Sequence, residues 1–129
     1  MAIKHISAIT LAVRDMARAV EFYQALGFKP AHGNAQSSFI SLRAGEAFVN
    51  LALTRAYQGR WWGRAIFRVR GVDRHYRQLV DAGLRPDPPT DAAWGERFFH
   101  ITDPDGHELS FAEPLPANPL SPDGADTVQ

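Results

Sequence analysis

The chain has no cysteine, and that removes three chemistries. No disulfide framework holds the fold, no thiolate serves as a nucleophile, and any metal site has to be assembled from His, Asp and Glu. Net charge is lacking too. Fourteen Lys and Arg balance fourteen Asp and Glu, so the positive field that draws a protein to nucleic acid or an anionic membrane is missing, and neither partner is expected. No apolar run approaches the roughly 18 residues of a membrane span. The opening MAIKHISAIT has no sustained apolar stretch leading to a small-residue cleavage site. A cytoplasmic protein is expected. What is present is 129 residues, enough for one domain with a sizeable core.

The clearest local signal is a hairpin at 98–112, FFHITDPDGHELSFA. Pro104 presets φ for the turn, Asp103 and Asp105 can bond the local backbone, and Gly106 tolerates positive φ, so turn formation accounts for both carboxylates. After the turn, Leu109 and Phe111 suit a covered face while Glu108, Ser110 and Ala112 fall on the other. Before it, Phe99 and Ile101 share the covered face, and Phe98 and His100 the second one.

Read in order, residues 3–13 alternate as a strand, with Ile9, Leu11 and Val13 opposite Ala8, Thr10 and Ala12. Asp15 suits a helix N-cap. Met16, Ala19, Val20, Tyr23 and Leu26 then recur at helical spacing before Gly27. Residues 38–42 and 47–53 read as strands. RAYQGRWWG at 55–63 has no clean period and reads as a connection. Arg64, Ile66 and Arg68 then alternate with Ala65, Phe67 and Val69, followed by a helical stripe of Val72, Tyr76, Leu79 and Val80 closed by Gly83. A shift of about 56 residues lays Val13 on Val69, Arg14 on Arg70, Arg18 on Arg74, Gly27 on Gly83 and Pro30 on Pro86. The repeat implies two βαβββ modules, about 3–54 and 64–113, making a single α+β domain over 1–113. The segment 114–129 is Pro-rich and expected to be disordered or draped over a surface.

The paired modules, DMARAVEFYQALGF after the first strand and DPDGHELSF in the last hairpin together resemble the vicinal oxygen chelate superfamily, the family of glyoxalases, bleomycin-resistance proteins and dioxygenases. The resemblance implies a curled mixed sheet whose concave side holds the ligand. It also implies four metal-ligand positions, which here carry Ala8, Asn50, Arg64 and Ser110. None of these is a usual ligand for a divalent ion. No metal or other cofactor is therefore expected; His5, His100 and Glu108 are the only substitutes at hand, and His5 has the wrong strand parity without a bulge.

Arg64 replaces a cation's ligand with a cation, so it calls for an acidic partner: either a ligand's carboxylate or Glu108. Tyr57, Trp61, Trp62 and Trp94 offer flat surface for a ring, against the alternative that they pack in the core or a dimer contact. Asn50, Phe98, His100 and Ser110 complete the expected ligand-binding set, with His100 titrating near neutral pH. The expected function is a metal-independent small-molecule-binding protein for an aromatic or acidic ligand, working as a homodimer. The alternative is an enzyme of the same superfamily: a metal-dependent lyase or dioxygenase with displaced ligands, or a metal-free isomerase with His100 as base and Arg64 as electrostatic stabiliser.

Overall fold

Alternation in the first strand, β1 (Ala8–Val13), is converted directly into burial: Leu11 and Val13 are covered while Ala8 and Thr10 are exposed. The strand begins later than its pattern predicts. Its parallel partner β4 (Ala47–Leu53) pairs Phe48 with Ala8, so residues before Ser7 have no neighbouring strand, and Ile3 and Ile6 are 97% and 70% exposed. Helix α1 (Met16–Leu26) starts at Asp15, whose side chain accepts the Arg18 N–H at 3.0 Å, and ends at Gly27 with φ 113°. A left-handed residue there is cheap only for glycine. Met16, Ala19, Tyr23 and Leu26 form its buried stripe. With β2 (Lys29–His32) and β3 (Phe39–Ala44) the first sheet has the order β1-β4-β3-β2, with β1 and β4 parallel and the other pairs antiparallel.

The second half repeats this plan with β5 (Arg64–Arg68), α2 (Val72–Asp81), β6 (Thr90–Asp91), β7 (Glu96–Thr102) and β8 (Glu108–Pro114), in the order β5-β8-β7-β6. In this computed structural model residues 2–116 are described. They divide into two units. The first runs to Arg60 and includes the turn Asp103–His107; the second comprises Trp61–Thr102 and the chain from Glu108. The predicted pair of βαβββ modules is the observed connectivity in both halves.

The first core joins Leu11, Val13, Ile40, Leu42, Val49 and Leu51 to the α1 stripe. The second is built on rings: Phe99 and Phe111 stack at 5.3 Å between centroids, His75 of α2 lies 4.7 Å from the Phe111 ring, and Tyr76 lies 5.8 Å from Phe99. Val80 lies outside this packing, 44% exposed, so the α2 stripe is narrower than expected. Gly71 gives α2 no capping side chain. The Glu113 carboxylate on β8 does so instead, accepting the Gly71 and Val72 N–H groups at 2.9 Å each, where a negative charge also favours the helix dipole. β8 runs through Pro114, and the Leu115 N–H donates to the Gly95 carbonyl at 2.9 Å, so the Pro-rich segment leaves the sheet later than Pro114. Residues 117–129, the remainder of the expected disordered tail, lie outside the described residues.

Candidate ligand-binding face

Each helix covers one face of its own sheet, and strand parity then assigns the side chains of the opposite, helix-free face. On the second sheet three rows cross that face: Arg64, Glu108 and Thr102; Ile66, Ser110 and His100; Arg68, Ala112 and Phe98. On the first sheet the matching rows are Ala8, Phe48 and Arg43; Thr10, Asn50 and Ser41; Ala12, Ala52 and Phe39. The two modules therefore correspond at the level of register, Ala8 matching Arg64 at a shift of 56 residues and Asn50 matching Ser110 at a shift of 60.

On the second unit Glu108 is the hub of the outer row. Its Oε2 accepts from the Trp61 indole N–H and from Arg64 Nη2, both at 3.1 Å. These bonds hold the carboxyl below the ordinary carboxylate value, the indole contributing most and the guanidinium next. The acidic partner that Arg64 requires is thus met in part by Glu108. In the middle row His100 Nδ1 and Ser110 Oγ share a short hydrogen bond. Burial first, and the Arg64 charge second, push the imidazole below its ordinary value, while Asp87 and Glu108 pull the other way. His100 is accordingly neutral at pH 7, with Ser110 beneath it only 2% exposed. Phe98 lies 4.8 Å from the His100 ring and stacks under Trp94 at 5.6 Å with 22° between planes; Trp94 in turn donates to Glu96 Oε1 at 2.8 Å. Trp61 and Trp94 keep 74% and 64% of their surfaces exposed. Trp62, at 47%, precedes β5 by two residues. Arg68 is a residue of this face that sequence reasoning does not single out, although its alternation with Arg64 and Ile66 is the signal that places it there; among the described residues no carboxylate pairs with it.

The first unit holds the other expected residues. Asn50 is engaged on both sides, accepting from the Ser41 hydroxyl at 2.7 Å and donating to Thr10 Oγ1 at 3.3 Å. Tyr57 stacks on His107 at 5.3 Å. His5 precedes β1, exposed, with its ring against the Ile6 carbonyl at 3.1 Å, so no bulge brings it onto the sheet. Asp103 and Asp105 are structural, as the turn chemistry predicts, and both are buried. Asp103 accepts the Asp105 and His107 N–H groups at 2.9 and 2.8 Å and the Tyr23 hydroxyl at 2.6 Å. Burial, and then the Asp103 charge, keep that hydroxyl protonated. Asp105 accepts from the Arg14 backbone and guanidinium, both at 3.0 Å, and from Arg18 at 3.3 Å, while the His107 ring N–H donates to the Ala12 carbonyl at 2.8 Å.

Residues 2–111 match the family described as the Glyoxalase/Bleomycin resistance protein/Dioxygenase superfamily. The chain belongs to that superfamily. Its fold is similar to that of a superfamily member from Sphaerobacter thermophilus, at 26% identity over 86% of this chain and 98% of that one with a TM-score of 0.69. It is also similar to a bleomycin-binding protein complexed with bleomycin, at 22% identity, 85% and 98% coverage and a TM-score of 0.70. A bleomycin resistance determinant encoded on the transposon Tn5 aligns at 22% identity, 84% and 97% coverage and a TM-score of 0.72. No curated protein matches the chain.

The superfamily's metal enzymes raise the question of a divalent ion, and the residues at the four positions do not fit one. Ala8 has no donor, Arg64 is a cation, Asn50 is spent on Ser41 and Thr10, and Ser110 on His100. Among the described residues no three His, Asp or Glu gather in a group able to hold a metal. Among the described residues no helix is long and apolar enough to cross a membrane.

Proposed function

We propose that this superfamily member is a metal-independent binding protein for a small molecule that combines a flat ring with an acidic group, held on the helix-free face of the second unit. One observation carries the reading: an exposed stack of Trp94 on Phe98, continuing to His100, on the face that also bears Arg68 and the partly engaged Arg64. Ring surface supplies apolar contact, Arg68 a guanidinium able to grip a carboxylate with two parallel bonds, and neutral His100 a directional polar contact. A strongly cationic ligand would meet both arginines and be repelled. The bleomycin-binding relative lends support to small-molecule binding as a use of this fold, and the class of ligand proposed here rests on the local chemistry.

The test is a titration of the intact protein with aromatic acids such as naphthoates, followed by tryptophan fluorescence. Saturable quenching is expected, with Arg68→Ala weakening binding about tenfold, equivalent to about 1.4 kcal/mol, and the corresponding neutral amides binding more weakly than the acids. A tightly held stoichiometric divalent ion, or indifference of the quenching to Arg68→Ala, would defeat the reading. A second reading, a metal-free isomerase, draws on the neutral, Ser110-bonded His100, which could accept a proton; exchange of a carbon-bound deuteron by the wild type and not by His100→Gln would favour it. We also propose a cytoplasmic homodimer, its pairing checked by sedimentation of the purified chain.

A further inference from the structure

His100 and Ser110 are register partners on β7 and β8, and the short bond between them joins His100 Nδ1 to Ser110 Oγ. That bond holds one proton and has two candidate donors, the serine hydroxyl or Nδ1–H. The surroundings decide between them. Ser110 is only 2% exposed, so water does not serve its hydroxyl, and among the described residues His100 is the hydroxyl's single hydrogen-bond partner. If Nδ1–H were the donor, the hydroxyl proton would be buried with nothing to receive it, which is the expensive way to lose a hydrogen bond. With the hydroxyl donating, both buried atoms are satisfied. Nδ1 is then bare, and the one proton of the neutral imidazole belongs on Nε2. An imidazolium meets the same obstacle, because its Nδ1–H would turn the bond around and orphan the hydroxyl proton. Nε2 points away from Ser110 and has no hydrogen-bond partner among the described residues. The other free polar groups nearby on this face are donors as well: Arg68, and the part of Arg64 that Glu108 does not occupy.

We propose that Ser110 is a positioning residue that fixes His100 as an Nε2–H donor, and that this donor selects ligands by an acceptor oxygen placed over the middle row. The selected group is the carboxylate of the aromatic acid, one oxygen taking the Nε2–H bond and the other facing Arg68. A group offering only N–H or O–H protons in that place sets donor against donor and is rejected. The ligand half of this inference rests on the binding function proposed above, whereas the tautomer is a property of the free protein. The isomerase reading requires the opposite ring: a base at Nε2 needs its proton on Nδ1, where the Ser110 hydroxyl excludes it.

The test uses the full chain, ¹⁵N-labelled and free of ligand, at about pH 8, above the ordinary histidine value. Correlations from the ring carbon protons to the two ring nitrogens report which nitrogen carries hydrogen, and the His100 signals are those missing from His100→Phe. Wild type is expected to show a bare Nδ1 and a protonated Nε2. Ser110→Ala, with no hydroxyl to impose a choice, should give signals averaged between the two tautomers. A wild-type ring protonated at Nδ1 or averaged would overturn the proposal, and so would a Ser110→Ala ring as uniform as that of wild type. Should Ser110→Ala fold poorly, the wild-type spectrum decides alone. Naphthoate is then titrated by tryptophan fluorescence. His100→Phe keeps a ring and drops the donor, and should weaken binding about fivefold, equal to about 1 kcal/mol; unchanged affinity would overturn the donor's role. Failure of naphthoate to bind wild type would defeat the ligand half together with the function proposed above, and the ligand-free spectra would still decide the tautomer.

Discussion

On the first sheet, Thr10, Asn50 and Ser41 tie three strands together with neutral hydrogen bonds, and the charge in the neighbouring row is Arg43, whose guanidinium lies 5.0 Å from the centre of the Phe48 ring. The row in the same register on the second sheet is Ile66, Ser110 and His100, flanked by Arg64 with Glu108 on one side and Arg68 with Phe98 on the other. Strand order is shared, as is the register of the three strands that carry these rows, so the difference between the rows is one of side chains. The buried charges of the first unit are two carboxylates, Asp103 and Asp105, which anchor the turn 103–107 to Tyr23, Arg14 and Arg18. One βαβββ plan thus buries a pair of carboxylates in the first unit and leaves the Arg64 and Glu108 pair near the surface in the second, since the fold does not specify which charges it displays.

The largest effect that can test this division is on stability. Asp103→Ala removes the acceptor of three hydrogen bonds in a buried setting and leaves the Tyr23 hydroxyl and two backbone N–H groups without it. The cost should be about 3 kcal/mol or more in urea unfolding. Glu108→Ala, which removes the hub of the exposed row, should leave the unfolding midpoint almost unchanged because its partners return to water. Comparable losses from the two substitutions would erase the contrast between a buried and a displayed set of charges.

Much of this arrangement is legible in the sequence, and the reasons are local. Asp15 and Gly27 bracket α1 by their own side-chain and backbone chemistry, and the parity of β5, β7 and β8 assigns Arg64, Phe98, His100 and Ser110 to one face before any contact is known. What is not legible depends on residues far apart in the chain. The start of β1 is set by where β4 begins. Tyr57 is drawn to His107, about fifty residues further along the chain, and the cap of α2 comes from Glu113. Arg64 has two admissible acidic partners by sequence; its register opposite Glu108 supplies one of them. Alternation alone places Arg68 on the face, and only the lack of a bonded carboxylate among the described residues marks it as available.

The next effect is a titration. His100 is held below its ordinary value of 6.5 by burial and then by Arg64. The unfolded chain therefore binds the proton more readily than the folded one. The stability contributed by neutral His100 is fully present above about 6.5 and is lost as pH falls through the lower folded value. Arg64→Gln removes a cation and also frees the Glu108 charge, and both changes favour the imidazolium. The His100 pKa should rise toward its ordinary value, followed by the shifts of its ring carbons in NMR, and the acid-side fall in stability should become shallower. A His100 that titrates identically in both proteins would mean that the outer and middle rows of the second sheet are not electrically coupled, and the displayed set would lose its coherence.

The smallest effect probes the neutral row. Asn50→Ser gives the first sheet the residue that stands in the same register on the second, and it breaks the bond to Thr10 while leaving Ser41 a hydroxyl partner. The bond lost outright is a single exposed, neutral one, so the cost should be about 0.5–1 kcal/mol, seen as a fall of a few degrees in Tm. The affinity for an aromatic acid, read by the same tryptophan quenching, should stay within about twofold of wild type, because no charge or ring has been changed. A drop in affinity as large as that of Arg68→Ala would make the neutral row a ligand contact in its own right, and stability and binding would then be shared between the two units instead of divided.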